Sequence, residues 1–207
     1  MAILRTQQKV QEERERMSME LHDSIGAYAN AVLYNVDLLQ AGKEGEAQKE
    51  IMKDLRFASK DIITSLRETI WALKSENYSA QECLLRIRNF IHPFIRYYPG
   101  IHFKVEGDAS EQKELHYALA LNIVRIVQEA VNNAIKYSNA KNIVIKSETA
   151  GATWLLEIKD DGKGFNQATT EYGNGIGNMQ RRAKEMNFFV EIVSKEGMGT
   201  QITINVP

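Results

Sequence analysis

Glu129, Asn133 and Lys136 directly follow the apolar run from Ile123 to Val127 and stand at i, i+4 and i+7. On an α-helix that spacing puts all three on one face. A carboxylate, an amide oxygen and an ammonium so grouped suit a hydrated Mg²⁺ and a phosphate chain. The same residues would also serve as an ordinary solvated face. Two adjacent asparagines, Asn132 and Asn133, argue for the functional reading, because asparagine is a poor helix former. Further on, Asp160-Asp161-Gly162-Lys163-Gly164 follows a predicted strand. A carboxylate here could accept a hydrogen bond from an adenine amino group, and Gly162 and Gly164 would let the backbone approach the base. Asp-Gly alone is only a common turn. Gly173, Gly175 and Gly177 then precede a predicted helix. Free N–H groups at a helix start, with no side chain in the way, attract phosphates. The spacing is not that of a dinucleotide fingerprint, and no Walker motif is present. Residues 166–172, between the two glycine clusters, read as a short mobile lid.

A fourth candidate lies near the start of the chain. His22 is followed by Asp23 and flanked one turn away by Ser18 and Gly26. It sits beside an apolar stripe formed by Met17, Leu21, Ile25, Tyr28, Val32, Val36 and Leu39. Its imidazole is therefore uncovered along its own helix. Gly26 in a helix interior costs about 1 kcal/mol relative to Ala, and clearance for a docking domain is a reason for it.

The elements that must position these groups fall into two parts. Residues 7–40 read as one long helix, 41–46 as a turn with two glycines, and 51–73 as a second amphipathic helix. A short loop makes the helices antiparallel, and a helix of that length needs a partner along its side. Two copies of the hairpin would close a four-helix bundle, so a homodimer is expected. Residues 74–78 are short and polar and read as a linker. This gives a helical hairpin at 1–74 and a mixed domain at 75–207. In the second part, 80–98 reads as a helix disturbed by Pro93 and 101–105 as a strand. Ser110 is expected to cap a helical stretch, and 114–138 reads as one strong helix. Strands follow at 142–148 and 153–159, a helix at 176–186, and strands at 188–193 and 201–206.

With 207 residues, 43% of them hydrophobic, the chain has the composition of an ordinary globular protein. A net charge of -1 excludes broad attraction to nucleic acid or membrane. The single cysteine, Cys83, rules out an internal disulfide, fits a reducing compartment such as the cytoplasm, and is expected to be buried. No apolar run reaches the length of a membrane span, and no signal peptide is visible.

The segment Glu13-Arg14-x-Arg16-Met17-x-x-Glu20-Leu21-His22-Asp23-x-x-Gly26 resembles the phosphoacceptor box of DesK-like sensor histidine kinases. Glu129-x-x-x-Asn133, Asp160-x-Gly162-x-Gly164 and Gly173-x-Gly175-x-Gly177, in that order, resemble the nucleotide-binding boxes of GHKL-type ATPases. Gly199-Thr200 resembles the last box of that family. The resemblance implies an α/β sandwich, a mixed sheet with helices on one face, behind the dimeric bundle. It implies that His22 accepts phosphate with Asp23 as its base, that Glu129 activates the transfer, and that Asn133 binds Mg²⁺. Asp160 would read adenine, Gly175 and Gly177 would lie at the phosphates, and Thr200 would lie near the base. ATP and Mg²⁺ are the implied cofactors, and a response-regulator receiver domain the implied partner. Three positions depart from the pattern: Asp161 where many relatives have Asn, Tyr137 where His is common, and Ala27 where Gln is usual. That Gln is thought to hold the water for dephosphorylating the receiver, so a poor phosphatase is expected. Rival readings are a GHKL serine kinase, an ATP-driven clamp, and a nucleotide-regulated platform without catalysis.

Overall fold

The computed structural model describes residues 74–166 and 174–207 continuously, with 29, 32–39, 45, 48, 51, 52, 55, 59, 62, 63, 66, 67, 70 and 71 before them. His22, Asp23, Ala27, Gly173, most of the first long helix and all of the expected lid except Asn166 lie outside the described residues. Contacts divide the chain into two compact units, Met1–Ser75 and Glu76–Pro207. In the first, every described position from Ala29 to Leu39 and from Gln48 to Trp71 is helical, and Gly45 turns between them at φ +73°. Val32, Val36 and Leu39 of the apolar stripe are half-buried, as are Leu55, Ile62 and Leu66 in the second helix, where Ile51 is buried. No helix among the described residues is long and apolar enough to cross a membrane.

The second unit is built on a five-stranded sheet and a small two-stranded one. Its elements are β1 (Asn77–Ser79), α1 (Ala80–Tyr97), β2 (His102–Gly107), β3 (Glu114–His116) and α2 (Tyr117–Asn133). A π turn (Ala134–Ser138), β4 (Asn142–Ala150), β5 (Thr153–Asp160), α3 (Asn174–Glu185), β6 (Phe189–Ser194) and β7 (Thr200–Val206) complete it. The large sheet runs β2-β4-β5-β7-β6. β2 and β4 are parallel, and the other neighbours are antiparallel. Period-2 burial is clear in β5, where Trp154, Leu156, Ile158 and Asp160 face inward. Ile143 and Ile145 of β4 and Ile202, Ile204 and Val206 of β7 join them in the core. The helices cover that face. α2 contributes Ile123, Val124, Ile126 and Val127, all buried. This is the expected mixed sheet with helices on one face, and Cys83 is buried in its core as expected. Burial pushes the Cys83 thiol up to about 12, so it stays protonated and inert.

Several local expectations change. The linker is not wholly a linker, because Asn77–Ser79 pairs with β3 and Tyr78, opposite Leu115, is 5% exposed. Backbone bonds from Tyr117 N to Glu76 O and from Ala80 N to Lys113 O lock that pair in place. Ser110 caps no helix. Its N–H donates to Thr149 Oγ1, and it sits in the loop before β3. The capping residue is Ser79, whose Oγ accepts from Glu82 N while the Glu82 carboxylate accepts from Ser79 N. Pro93 lies inside α1 without ending it. Ile91 and Phe94 are buried on either side, and Phe94 stacks on Phe103 of β2. The strong helix at 114–138 is three pieces: a short strand, an α-helix and a π turn that ends at Asn139, φ +57°.

Candidate functional site

α2 brings Glu129 and Asn133 together as their i, i+4 spacing requires, and Asn133 Nδ2 donates to Glu129 Oε1 at 3.1 Å. That bond orients the amide and leaves Oδ1 as the group that could meet a cation. The helix then passes into the π turn, which holds about one residue more per turn than an α-helix. The next side chains on the Glu129–Asn133 face are therefore Tyr137 and Ser138, not Lys136. A cavity of about 590 Å³ opens here, lined by Glu129, Asn133, Tyr137 and Ser138 and by Asp160, Gly164, Gly175 and Thr200. Lys163 lines it as a second basic candidate, while Lys136 is not among its lining residues. The apolar walls come from Ile158, Phe165, Ile176, Met179, Ile192 and Ile202. Phe165, Ile176 and Met179 fall in or beside the two glycine motifs, whereas no motif pointed to Ile158, Ile192 and Ile202, which come from three separate strands. Gly162 and Gly177, both expected at the nucleotide, are not among the lining residues either.

The glycines serve different ends. A Cβ at Gly162 would come within 2.5 Å of the Ser138 Cβ, so this glycine lets the Asp160 loop sit on the π turn. Lys163 N then donates to Ser138 O at 2.7 Å. A Cβ at Gly175 would overlap Glu129 Oε1 and stand 3.2 Å from Asn133 Nδ2. The first turn of α3 is thereby pressed against the two polar residues of α2. At Gly177 a Cβ would meet open space.

The adjacent aspartates have opposite surroundings. Asp160, 6% exposed, ends β5 inside the core, and its Oδ1 accepts from Gly162 N at 2.9 Å. Burial raises its pKa. N–H groups of Gly162 and Thr200 oppose that, and the Asp161 charge adds to it. For Asp161 burial also acts upward, but it is outweighed by hydrogen bonds from the Asn142 side chain and the N–H groups of Asn142 and Lys141. The result is an Asp161 held below the ordinary carboxylate value that ties β5 to the start of β4. Its structural role explains why Asp serves at this position. Thr200 faces Asp160 across the β5–β7 ladder, and its hydroxyl lies 2.9 Å from Ser194 Oγ. Ser194 also accepts from Phe165 N, a stitch between β6 and the glycine loop that no motif signalled.

Asp160 supplies a pH test. Its folded pKa is raised, so its contribution to stability is fully present below the ordinary carboxylate pKa and is lost as pH rises through the raised value. The role that the resemblance implies for Asp160, accepting from a base amino group, would need the charged form and would move the other way. Nucleotide affinity should weaken on mild acidification, before ordinary carboxylates titrate, while the fold does not. Titrating affinity from neutral to mildly acidic pH checks this, and Asp160→Asn should flatten the profile.

Among the described residues no three or more His, Cys, Asp or Glu side chains gather as a metal-binding group. Mg²⁺, which keeps several waters and draws ligands from bound phosphates, fits a site offering one amide oxygen beside one carboxylate.

Two family comparisons match this layout in order. Residues 13–78 match the family described as "Histidine kinase". Residues 118–207 match "Histidine kinase-, DNA gyrase B-, and HSP90-like ATPase". Both regions of the chain thus match families that include histidine kinases. The chain is 30% identical over 207 residues to the signal transduction histidine-protein kinase/phosphatase DegS of Brevibacillus brevis, covering 97% of this chain and 52% of that protein. The chain thus spans about half the length of that curated relative. Among solved structures it resembles the histidine kinase domain of the Erythrobacter litoralis blue-light activated kinase, with a TM-score of 0.56 at 14% identity, covering 95% of this chain and 94% of that one. It also resembles the Acinetobacter baumannii histidine kinase AdeS, with a TM-score of 0.54 at 14% identity, covering 86% and 94%. At these identities the structures speak for the fold, which matches the bundle-plus-sandwich expectation.

Proposed function

We propose that the chain is the catalytic core of a sensor histidine kinase that phosphorylates His22 from ATP and passes the phosphoryl group to an aspartate of a response-regulator receiver. The observation that carries this is the convergence of Glu129, Asn133, Asp160, Gly175 and Thr200, from four elements, on one cavity. A region that matches the family described as "Histidine kinase", and that contains His22, precedes it in the same chain. Asp160 would receive the adenine amino group, and the first turn of α3 would receive phosphates. Asn133 would hold Mg²⁺, which supplies charge neutralisation when bound. A nitrogen of His22 attacks the γ-phosphorus, the bond to the bridging oxygen breaks, and ADP leaves with its electron pair. Asp23 takes the imidazole proton, and Glu129 orients the reacting groups. Positioning and electrostatics carry most of such a step.

Labelled ATP tests the reading. An acid-labile, alkali-stable label that is lost in His22→Ala, and sharply reduced in Asn133→Asp, is expected. A label stable to acid would favour a serine kinase, and binding without any label a non-catalytic platform.

The half-buried stripes of the hairpin, with Leu33, Tyr34, Met52, Ile63 and Ile70 exposed, support a four-helix bundle made with a second copy. Light scattering at micromolar concentration should give the dimer mass without nucleotide, and a monomer mass would refute the bundle.

A further inference from the structure

Two of the approaches between α2 and α3 involve polar side chains, and only one of these is at the cavity. At the site, Gly175 abuts Glu129 and Asn133. Away from it, Asn122 is 9% exposed and donates through Nδ2 to Ala118 O at 2.9 Å. Its Oδ1 accepts from an Arg182 guanidinium N–H at 2.9 Å. Between the two points lies Met179, 1% exposed. Positions 175 and 182 are two turns apart on α3, as 122 and 129 are on α2. At 1.5 Å per residue both intervals span about 10 Å. The two contacts therefore match when the helices run in opposite directions, and both hold in one register only. Apolar packing alone resists sliding weakly. A buried amide matched to a planar guanidinium is directional, and a slip would leave its polar atoms unsatisfied.

We propose that Arg182 and Asn122 are positioning residues for the phosphate end of the nucleotide site. Their hydrogen bond sets where α3 lies along α2, and hence where the N–H groups of its first turn meet a triphosphate. This rests on the ATP-binding reading above and adds which contact controls the phosphate half. The polar groups assigned to the base half, Asp160 and Thr200, stand on β5 and β7 and are not carried by α3.

The test compares ATP with adenosine, which lacks phosphates, by calorimetric titration of the full 207-residue chain. Arg182→Met keeps most of the side-chain stem and removes the fork. It should weaken ATP about tenfold while adenosine affinity stays within about twofold, where tenfold corresponds to about 1.4 kcal/mol. Asn122→Asp preserves an acceptor for Arg182 and should retain ATP affinity. If Arg182→Met weakens both ligands by the same factor, or leaves ATP binding intact in a folded protein, the proposal is overturned. Should Arg182→Met fail to fold, Arg182→Lys keeps the charge without the planar fork and carries the same comparison. A wild-type chain that binds neither ligand would refute the ATP reading itself, a distinguishable result.

Discussion

Gly199→Ala should lower Tm by about 10 °C and abolish nucleotide binding. Gly199 has φ +77°, and an added Cβ would overlap the Asp160 carbonyl oxygen. An alanine in that left-handed conformation costs about 1–2 kcal/mol by itself. The overlap is with backbone, not with a side chain that can swing away, so β5 or the β6–β7 turn must move. The same turn carries Gly197, whose N–H donates to Lys163 O. Moving it would pull the glycine loop off the Asp160 carboxylate. A total loss of about 3 kcal/mol places this among the large single-site effects. Thermal unfolding monitored by circular dichroism measures it. A variant that melts like the wild type and still binds ATP would show that the turn tolerates displacement.

Gly175→Ala should leave Tm nearly unchanged and reduce autophosphorylation by about a hundredfold, the scale of a misplaced acid–base or orienting group. Here the new Cβ would meet the Glu129 carboxylate, the far end of a flexible side chain that can rotate away. Alanine is also a better helix former than glycine, although at the second residue of α3 the gain is smaller than in a helix interior. The fold is kept and the carboxylate is displaced. Gly177→Ala is the internal control, since among the described residues its Cβ meets nothing within 4 Å outside its own helix turn. Gly177 does not line the cavity either, so this variant should keep both the ATP affinity and the rate at saturation. Initial rates of labelling at saturating ATP, measured for both variants, separate the two cases. Equal rates for Gly175→Ala and the wild type would remove Glu129 from the transfer.

Much of this was legible from local pattern alone. The strands expected at 142–148, 153–159, 188–193 and 201–206 became β4, β5, β6 and β7 within one or two residues, and burial on one covered face leaves a local trace of such strands. The Glu129–Asn133 pairing followed from helix periodicity, and the glycine clusters from the close approaches they permit. Tertiary structure decided the rest. β1 and β3 have three residues each, too few to show a period, and exist only because residues far apart in the chain pair as Tyr78 with Leu115. The π turn has no compositional mark, yet its extra residue per turn moves Tyr137 and Ser138 into the cavity wall in the place expected for Lys136. Ser138 and Gly162, Asp160 and Gly199, and Asn122 and Arg182 meet only after the sheet and helices have packed. Sequence determines which side chains a local element can present on one face. Contacts between elements depend on register and packing, which are settled by the whole core at once.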